Sequence, residues 1–397
     1  MIGIEILNRL NAGTKEQRLA ALREEVKTAA LPPAVPQYIN NHIHTVYSFS
    51  PYSPAAAVYA ARMEGLCTAG IIDHDSIAGA REFLEAARIV GMPVTVGMEC
   101  RVSMEGTSLA GMRTNNPDQV GVSYMTIQSV PHDRIEDVQS FFAPYRQARG
   151  ARNRRMVDRI NELLPGIGLD YDRDVLPLSM AREGGSVTER HLMYALARRM
   201  TERAGKGQPM IEYLASIGLT LSQKQTAQML DTAYPFYEYD LLGILKSAFV
   251  PRIYIDAAEE CPNVREIVRF CKDVDALLCY AYLGDVTSSV TGDKKAQKFE
   301  DDYLDDVIAC LKRLGVPAVT YMPTRNTPAQ LARIRRLCEE NDLIQVSGED
   351  INSPRQSFVI RAMDDPQFKN LIDATWMLIR HEQNTASRKT VQKGTTP

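Results

Sequence analysis

The sequence predicts an α/β barrel of about seven strand–helix units, interrupted once by a helical insertion. Three observations point there. Short apolar runs of strand length alternate with amphipathic stretches of helix length. The alternation stops after Gln128 and resumes at Ala276, with helical patterning between. Four of the apolar runs end in His, Asp or Glu, as expected where parallel strands gather their C-terminal ends around a site.

The elements follow in order. Thr14-x-x-Gln17 has the form of a capping box and opens a helix over 14–29, and Leu31-Pro32-Pro33-Ala34-Val35-Pro36 ends it as a linker. Residues 1–36 thus read as an N-terminal helical extension. Strands are predicted at Tyr38–His44, Thr68–Asp73 and Val94–Cys100, with Val120–Gln128 as a fourth, all paired in parallel. Between the first three lie a helix starting at Ser53-Pro54, as N-cap and N1, and one over Ser76–Val90, where Asp75 and Ser76 are expected to cap. These make the first part of the barrel, 37–139. Helical patterns at Asp137–Leu164, Thr188–Arg203, Pro209–Ile217 and Ser222–Ala233 define an insertion or cap over 140–250. The second part of the barrel, 251–382, adds strands at Ala276–Tyr282, Ala318–Met322 and Leu343–Ser347, with helices near Glu300–Leu314 and Thr327–Asn341. The last stretch, 383–397, has no apolar face and reads as a disordered tail.

With 397 residues, 45% of them hydrophobic, the chain can bury a substantial core. A net charge of −3 from 46 basic and 49 acidic residues supplies no global attraction to nucleic acid or anionic membrane, and neither partner is indicated. Seven cysteines form no Cys-x-x-Cys pair and lie in apolar segments, which fits a reducing, cytoplasmic setting. No basic-then-apolar leader pattern and no apolar run long enough to span a membrane is present.

The chemistry concentrates at strand ends. Residues i and i+2 of a strand share a side, so His42 and His44 present two imidazoles to one space. Taken alone, a His-x-His pair is more often incidental than metal-binding. Asp73-His74-Asp75, Glu99 and Glu349-Asp350 end three further strands, and a barrel would converge them with the pair into an imidazole–carboxylate set suited to Mn, Fe or Zn.

These residues resemble the polymerase and histidinol phosphatase superfamily, PHP, and its small phosphoesterases in particular. HIHTVYS, IIDHDSIAGA, VGMEC and SGEDINS resemble its four motifs in order, and ARNRRMVDRINEL and EGGSVTERHLMYAL resemble segments of its helical insertion. The resemblance covers about Tyr38–Ser357 and implies a distorted (β/α)7 TIM-like barrel that hydrolyses phosphate esters with up to three metal ions. The ligand set is depleted: Phe49, Tyr280 and Asn352 stand where the pattern has ligands. The resemblance therefore implies one divalent transition-metal ion (Mn, Zn or Fe) on His42, His44, Glu99 and Asp350, with His74 left for acid–base work and Asp73 or Asp75 behind it. His191 is a second catalytic candidate, equally readable as a helix-start histidine, and Arg154, Arg155, Tyr280 and Asn352 are candidate substrate contacts. The expected activity is hydrolysis of a small phosphorylated metabolite or nucleotide. The rival is a catalytically impaired protein that binds a phosphorylated or acidic small molecule.

Overall fold

The structure, a computed structural model, describes residues 2–285 and 300–393. Seven strands form one sheet in sequence order: β1 (Val35–Ile43), β2 (Leu66–His74), β3 (Val94–Ser103), β4 (Val122–Gln128), β5 (Leu277–Ala281), β6 (Ala318–Tyr321) and β7 (Ile344–Ser347). The sheet curls until its edges meet. Just beyond β7, Ile351 pairs with Ile43, its N–H donating to His42 O at 3.1 Å and its O accepting from His44 N at 3.0 Å.

Parallel pairing holds for β1–β2–β3 and β5–β6–β7, but β4 runs antiparallel to both neighbours. The expectation of parallel pairing throughout is corrected here. A parallel neighbour needs a crossover long enough to return the chain to the same end of the sheet. The link from Ser103 to Val122 holds turns and no helix, so the chain re-enters from the end at which it left.

At the N-terminus, α1 (Ile4–Asn11) precedes α2 (Lys15–Thr28), whose capping box is formed by Thr14 and Gln17. The pair is built into the barrel wall rather than appended to it. Leu10, Leu19 and Leu22 are buried in the main core, and Arg18 makes a buried two-pronged contact to Glu82 at 2.9 and 2.6 Å. That carboxylate lies on α4 (Ala80–Val90), which follows α3 (Pro54–Met63). Ser53 caps α3 as expected, while α4 starts at Gly79 with no side-chain cap.

After β4, α5 (Ile135–Phe141) packs on the main core through Ile135 and Val138, whereas α6 (Ala143–Leu163), α7 (Glu189–Ala204), α8 (Gln208–Ser216), α9 (Gln223–Leu230) and α10 (Tyr237–Ile253) carry a core of their own. Met156, Ile160, Leu192, Leu196, Leu241, Leu245 and Phe249 are buried together there. One barrel residue, Phe49, belongs to that second core. The chain returns through α11 (Val264–Asp273), α12 (Leu304–Leu314) and α13 (Pro328–Glu340).

The last helix, α14 (Lys369–Lys393), continues past the point where a disordered tail was expected from 383. No glycine or proline interrupts it before Gly394, and residues 394–397 lie outside the described residues. It docks through Glu382, which accepts from Val96 N and faces His132 Nε2, each at 3.1 Å. Among the described residues no helix is long and apolar enough to cross a membrane.

Candidate metal centre

Strand register assembles the site. The Ile43–Ile351 bridge sets Asp350 against the two histidines that flank Ile43, and parallel pairing of β2 with β3 sets His74 beside Glu99. A side chain at 348 is excluded: a Cβ there would lie 2.6 Å from the Cβ of His42, so only glycine lets the two strand ends approach.

The polar atoms then converge. His44 Nε2 lies 3.1 Å from Asp350 Oδ1 and 3.8 Å from Glu99 Oε2, and His42 Nε2 lies 3.3 Å from the same Glu99 oxygen. His74 Nδ1 is 3.3 Å from that oxygen too, and its ring stacks on His44 with centroids 4.7 Å apart. Although the Nε2 atoms of His42 and His44 are this close to carboxylates, both are buried without a hydrogen bond of acceptable geometry. Two buried nitrogens aimed between two carboxylates are the donor set of a cation site. Two groupings have ligand atoms within 4.8 Å of one another, His42–His44–Asp350 and His44–His74–Glu99, and His44 belongs to both.

The fields at these groups are strong. Burial alone would raise the Glu99 carboxyl, but His74, His42 and His44 hold it down to about 2. Asp350 is likewise held below the ordinary range, against burial, by His44 above all. Burial disfavours a charged His44, yet Asp350, Glu99 and Asp73 raise its pKa overall. Burial pushes His74 down to about 4, so its ring is neutral at pH 7.

Above the site lies a cavity of about 680 Å³, lined by His74, Glu99 and Asp350 from the barrel and by Arg149, Arg190 and Lys246 from the cap, among others. In and behind its wall three guanidiniums and three carboxylates interlock. Arg149 contacts Asp75, and donates to Glu189 at 2.7 Å; Arg152 donates to Glu260 at 2.6 Å and also contacts Glu189; Arg101 contacts both Glu260 and Glu189. Burial opposes ionisation of Glu189, but Arg149, Arg101 and Arg152 hold its pKa well below the ordinary value. Asp75 is thus an ion-pair partner of Arg149, not the helix cap expected.

Several expected contacts lie elsewhere. Arg154 and Arg155 sit on the exposed face of α6, where Arg154 pairs with Asp172 and stacks on Tyr171. The buried face carries Arg149, Arg152 and Asn153. Helical periodicity could have shown this, since Met156, Val157 and Ile160 mark the inner face, and stepping back four residues from 156 and 157 gives 152 and 153, with a further step of four from 153 to 149. Tyr280 is fully buried and donates to Glu300, away from the cavity lining. His191 is fully buried and does not line the cavity either. Its Nδ1 accepts from Thr188 N at 3.0 Å as the third residue of a capping box, so the helix-start role is the one observed. Asn352 does line the cavity, and its Nδ2 donates to Asp350 Oδ1 at 2.7 Å. Arg101 and Glu260 lie in no motif and are joined to the site only by folding, and Arg190, although inside EGGSVTERHLMYAL, was not marked as a site residue.

Against known proteins, the fold is matched by solved structures at low identity. One is described as a metal-dependent phosphoesterase from Bifidobacterium adolescentis, with TM-score 0.54 and 21% identity, covering 86% of this chain and 97% of that one. Another is an amidohydrolase from Chromobacterium violaceum with bound sulfate and no metal, with TM-score 0.53 and 14% identity, covering 85% and 96%. No protein-family model and no curated protein matches the sequence. The chain therefore shares with these two structures a seven-stranded α/β barrel fold.

Proposed function

We propose that this chain is a metal-dependent hydrolase of phosphate esters, acting on a small phosphorylated metabolite or nucleotide. One divalent transition-metal ion (Mn, Zn or Fe) would be held by His42, His44, Glu99 and Asp350. The observation that carries this is the convergence of two buried, unpartnered Nε2 atoms with two ionised carboxylates at the floor of a cavity whose cap side bears guanidiniums. When bound, such an ion supplies Lewis-acid polarisation of a phosphoryl oxygen and acidifies water.

The remaining work falls to the chain's own groups. Asn352 orients Asp350 through its amide. Arg149 and Arg190 line the cavity and put positive charge on its cap side, which suits an anionic substrate. His74, neutral at pH 7, faces Glu99 through Nδ1, which leaves Nε2 to take or give a proton. The seven thiols are unpaired, as suits a cytoplasmic enzyme. Among solved structures of this fold, one is described as a metal-dependent phosphoesterase and another holds a sulfate, which supports the substrate class.

A second reading comes from the grouping of His44, His74 and Glu99, which would make His74 a ligand rather than a proton carrier. The test of the main reading is release of inorganic phosphate from a panel of phosphate esters with Mn, Zn or Fe added to metal-free protein. Turnover that requires one of these metals and is lost in Asp350→Asn is expected. A protein that binds metal and phosphorylated ligand yet turns over none of the panel is a binding protein instead.

A further inference from the structure

Behind His44, away from the cavity, lie two residues outside the proposed ligand set. Asp73, next to last in β2, is fully buried, and its carboxylate accepts from Thr45 N at 2.7 Å, Thr45 Oγ1 at 2.6 Å and Ser48 Oγ at 2.6 Å. Ser48 Oγ, also buried, is in turn 3.2 Å from His44 Nδ1. The turn that carries Ser48 is held from two sides. Thr45 O accepts from Ser48 N and Phe49 N at 3.1 Å, and from the cap Ser186 N donates to Tyr47 O at 2.8 Å and Thr188 Oγ1 to Ser48 O at 3.1 Å.

A proton count along this chain gives one arrangement. Asp73 receives the N–H of Thr45 on Oδ1 and the hydroxyl of Thr45 on Oδ2, so both of its oxygens act as acceptors, as in a carboxylate. The hydroxyl of Ser48 has a single proton, and it goes to Oδ1. What Ser48 then turns to His44 is a lone pair, which only a protonated Nδ1 can use.

We propose that Asp73, acting through Ser48, fixes His44 with its proton on Nδ1, so that the Nε2 lone pair is the one offered to a cation between Glu99 and Asp350. Ser48 and Asp73 are then positioning residues of the site. Metal-ligating histidines are oriented in this way by an acceptor on the far nitrogen, and removing that acceptor weakens metal binding by roughly 10–100-fold. Here a serine carries the influence of the carboxylate, and the cap, through Ser186 and Thr188, holds that serine in place. The proposal rests on the reading of His42, His44, Glu99 and Asp350 as an ion site.

The experiment uses the full chain labelled with 15N at histidine, in metal-free form and loaded with Zn, together with Ser48→Ala and the conservative Ser48→Thr. Two-bond 15N–1H correlation should show the His44 proton on Nδ1 in both forms, with Nε2 bound in the loaded one. Calorimetry should show Zn affinity about 10–100-fold weaker in Ser48→Ala and restored toward wild type in Ser48→Thr, with unchanged circular dichroism. A His44 bound through Nδ1, or a Ser48→Ala protein with wild-type affinity, overturns the positioning role and leaves the ion site standing. Wild-type protein that takes up no Zn overturns the ion site, and the location of the His44 proton in that same sample still decides the claim for Ser48 and Asp73.

Discussion

The ring of Phe49 stands edge-on to that of His191, with centroids 5.0 Å apart and planes at 84°. It is a barrel side chain inserted among Tyr194, Tyr239 and the rest of the cap core, from a backbone with φ of 111°. A non-glycine residue in that region costs about 1–3 kcal/mol and persists only where packing over-determines it. Phe49→Ala should therefore destabilise the protein by about 3 kcal/mol, by loss of the buried ring. Phe49→Gly should lose less, because glycine relieves the backbone. Urea unfolding of the two variants checks this, and an Ala variant as stable as wild type would show that Phe49 does not tie cap to barrel.

His191 makes stability depend on pH. Burial, with Arg149 and Arg190 adding to it, pushes its pKa from 6.5 down to about 3. Between those values the unfolded chain binds a proton that the folded chain refuses, so this group contributes stability above pH 6.5 that is lost as the pH falls toward 3. Gln accepts the same backbone N–H at the third position of a capping box but does not titrate. Urea midpoints should therefore fall less between pH 7 and pH 4.5 in His191→Gln than in wild type. Equal falls would mean that His191 is charged in the folded protein.

The two faces of α6 separate function from surface. Arg149→Ala leaves Asp75 and Glu189 short of a buried partner and should cost about 3–5 kcal/mol. Weaker binding of inorganic phosphate should accompany it. Arg154→Ala breaks an exposed pair with Asp172 and should change stability by about 0–1 kcal/mol, with phosphate binding unchanged. Thermal melts and phosphate titrations of the two variants check both, and an Arg154→Ala protein with impaired phosphate binding would return that residue to the site.

Metal content distinguishes the two groupings around His44. Elemental analysis should give about one transition ion per chain, as expected for a set of four protein donors. His44→Ala should empty the site, because His44 belongs to both groupings. His74→Ala should keep the ion and alter turnover alone. Loss of metal in His74→Ala, or two ions per chain, would favour the grouping of His44, His74 and Glu99.

Much of this molecule follows from local pattern. Strand and helix periods are properties of neighbouring residues, so all seven strands, the Thr14–Gln17 box and the interruption by the cap were legible in the amino-acid order. So was the convergence of His42, His44, Glu99 and Asp350, because the ends of barrel strands meet whatever the loops do. Tertiary structure decided what depends on partners far along the chain. The reversed β4 follows from a connection of turns that holds no crossover helix. Arg149 rather than Arg154 faces the cavity because burial chooses the helix face, and a run of arginines alone carries no such choice. Asp73 serves Ser48 and Thr45, His191 caps its own helix, and Tyr280 goes to Glu300, since each buried polar group takes the partner that folding brings within reach.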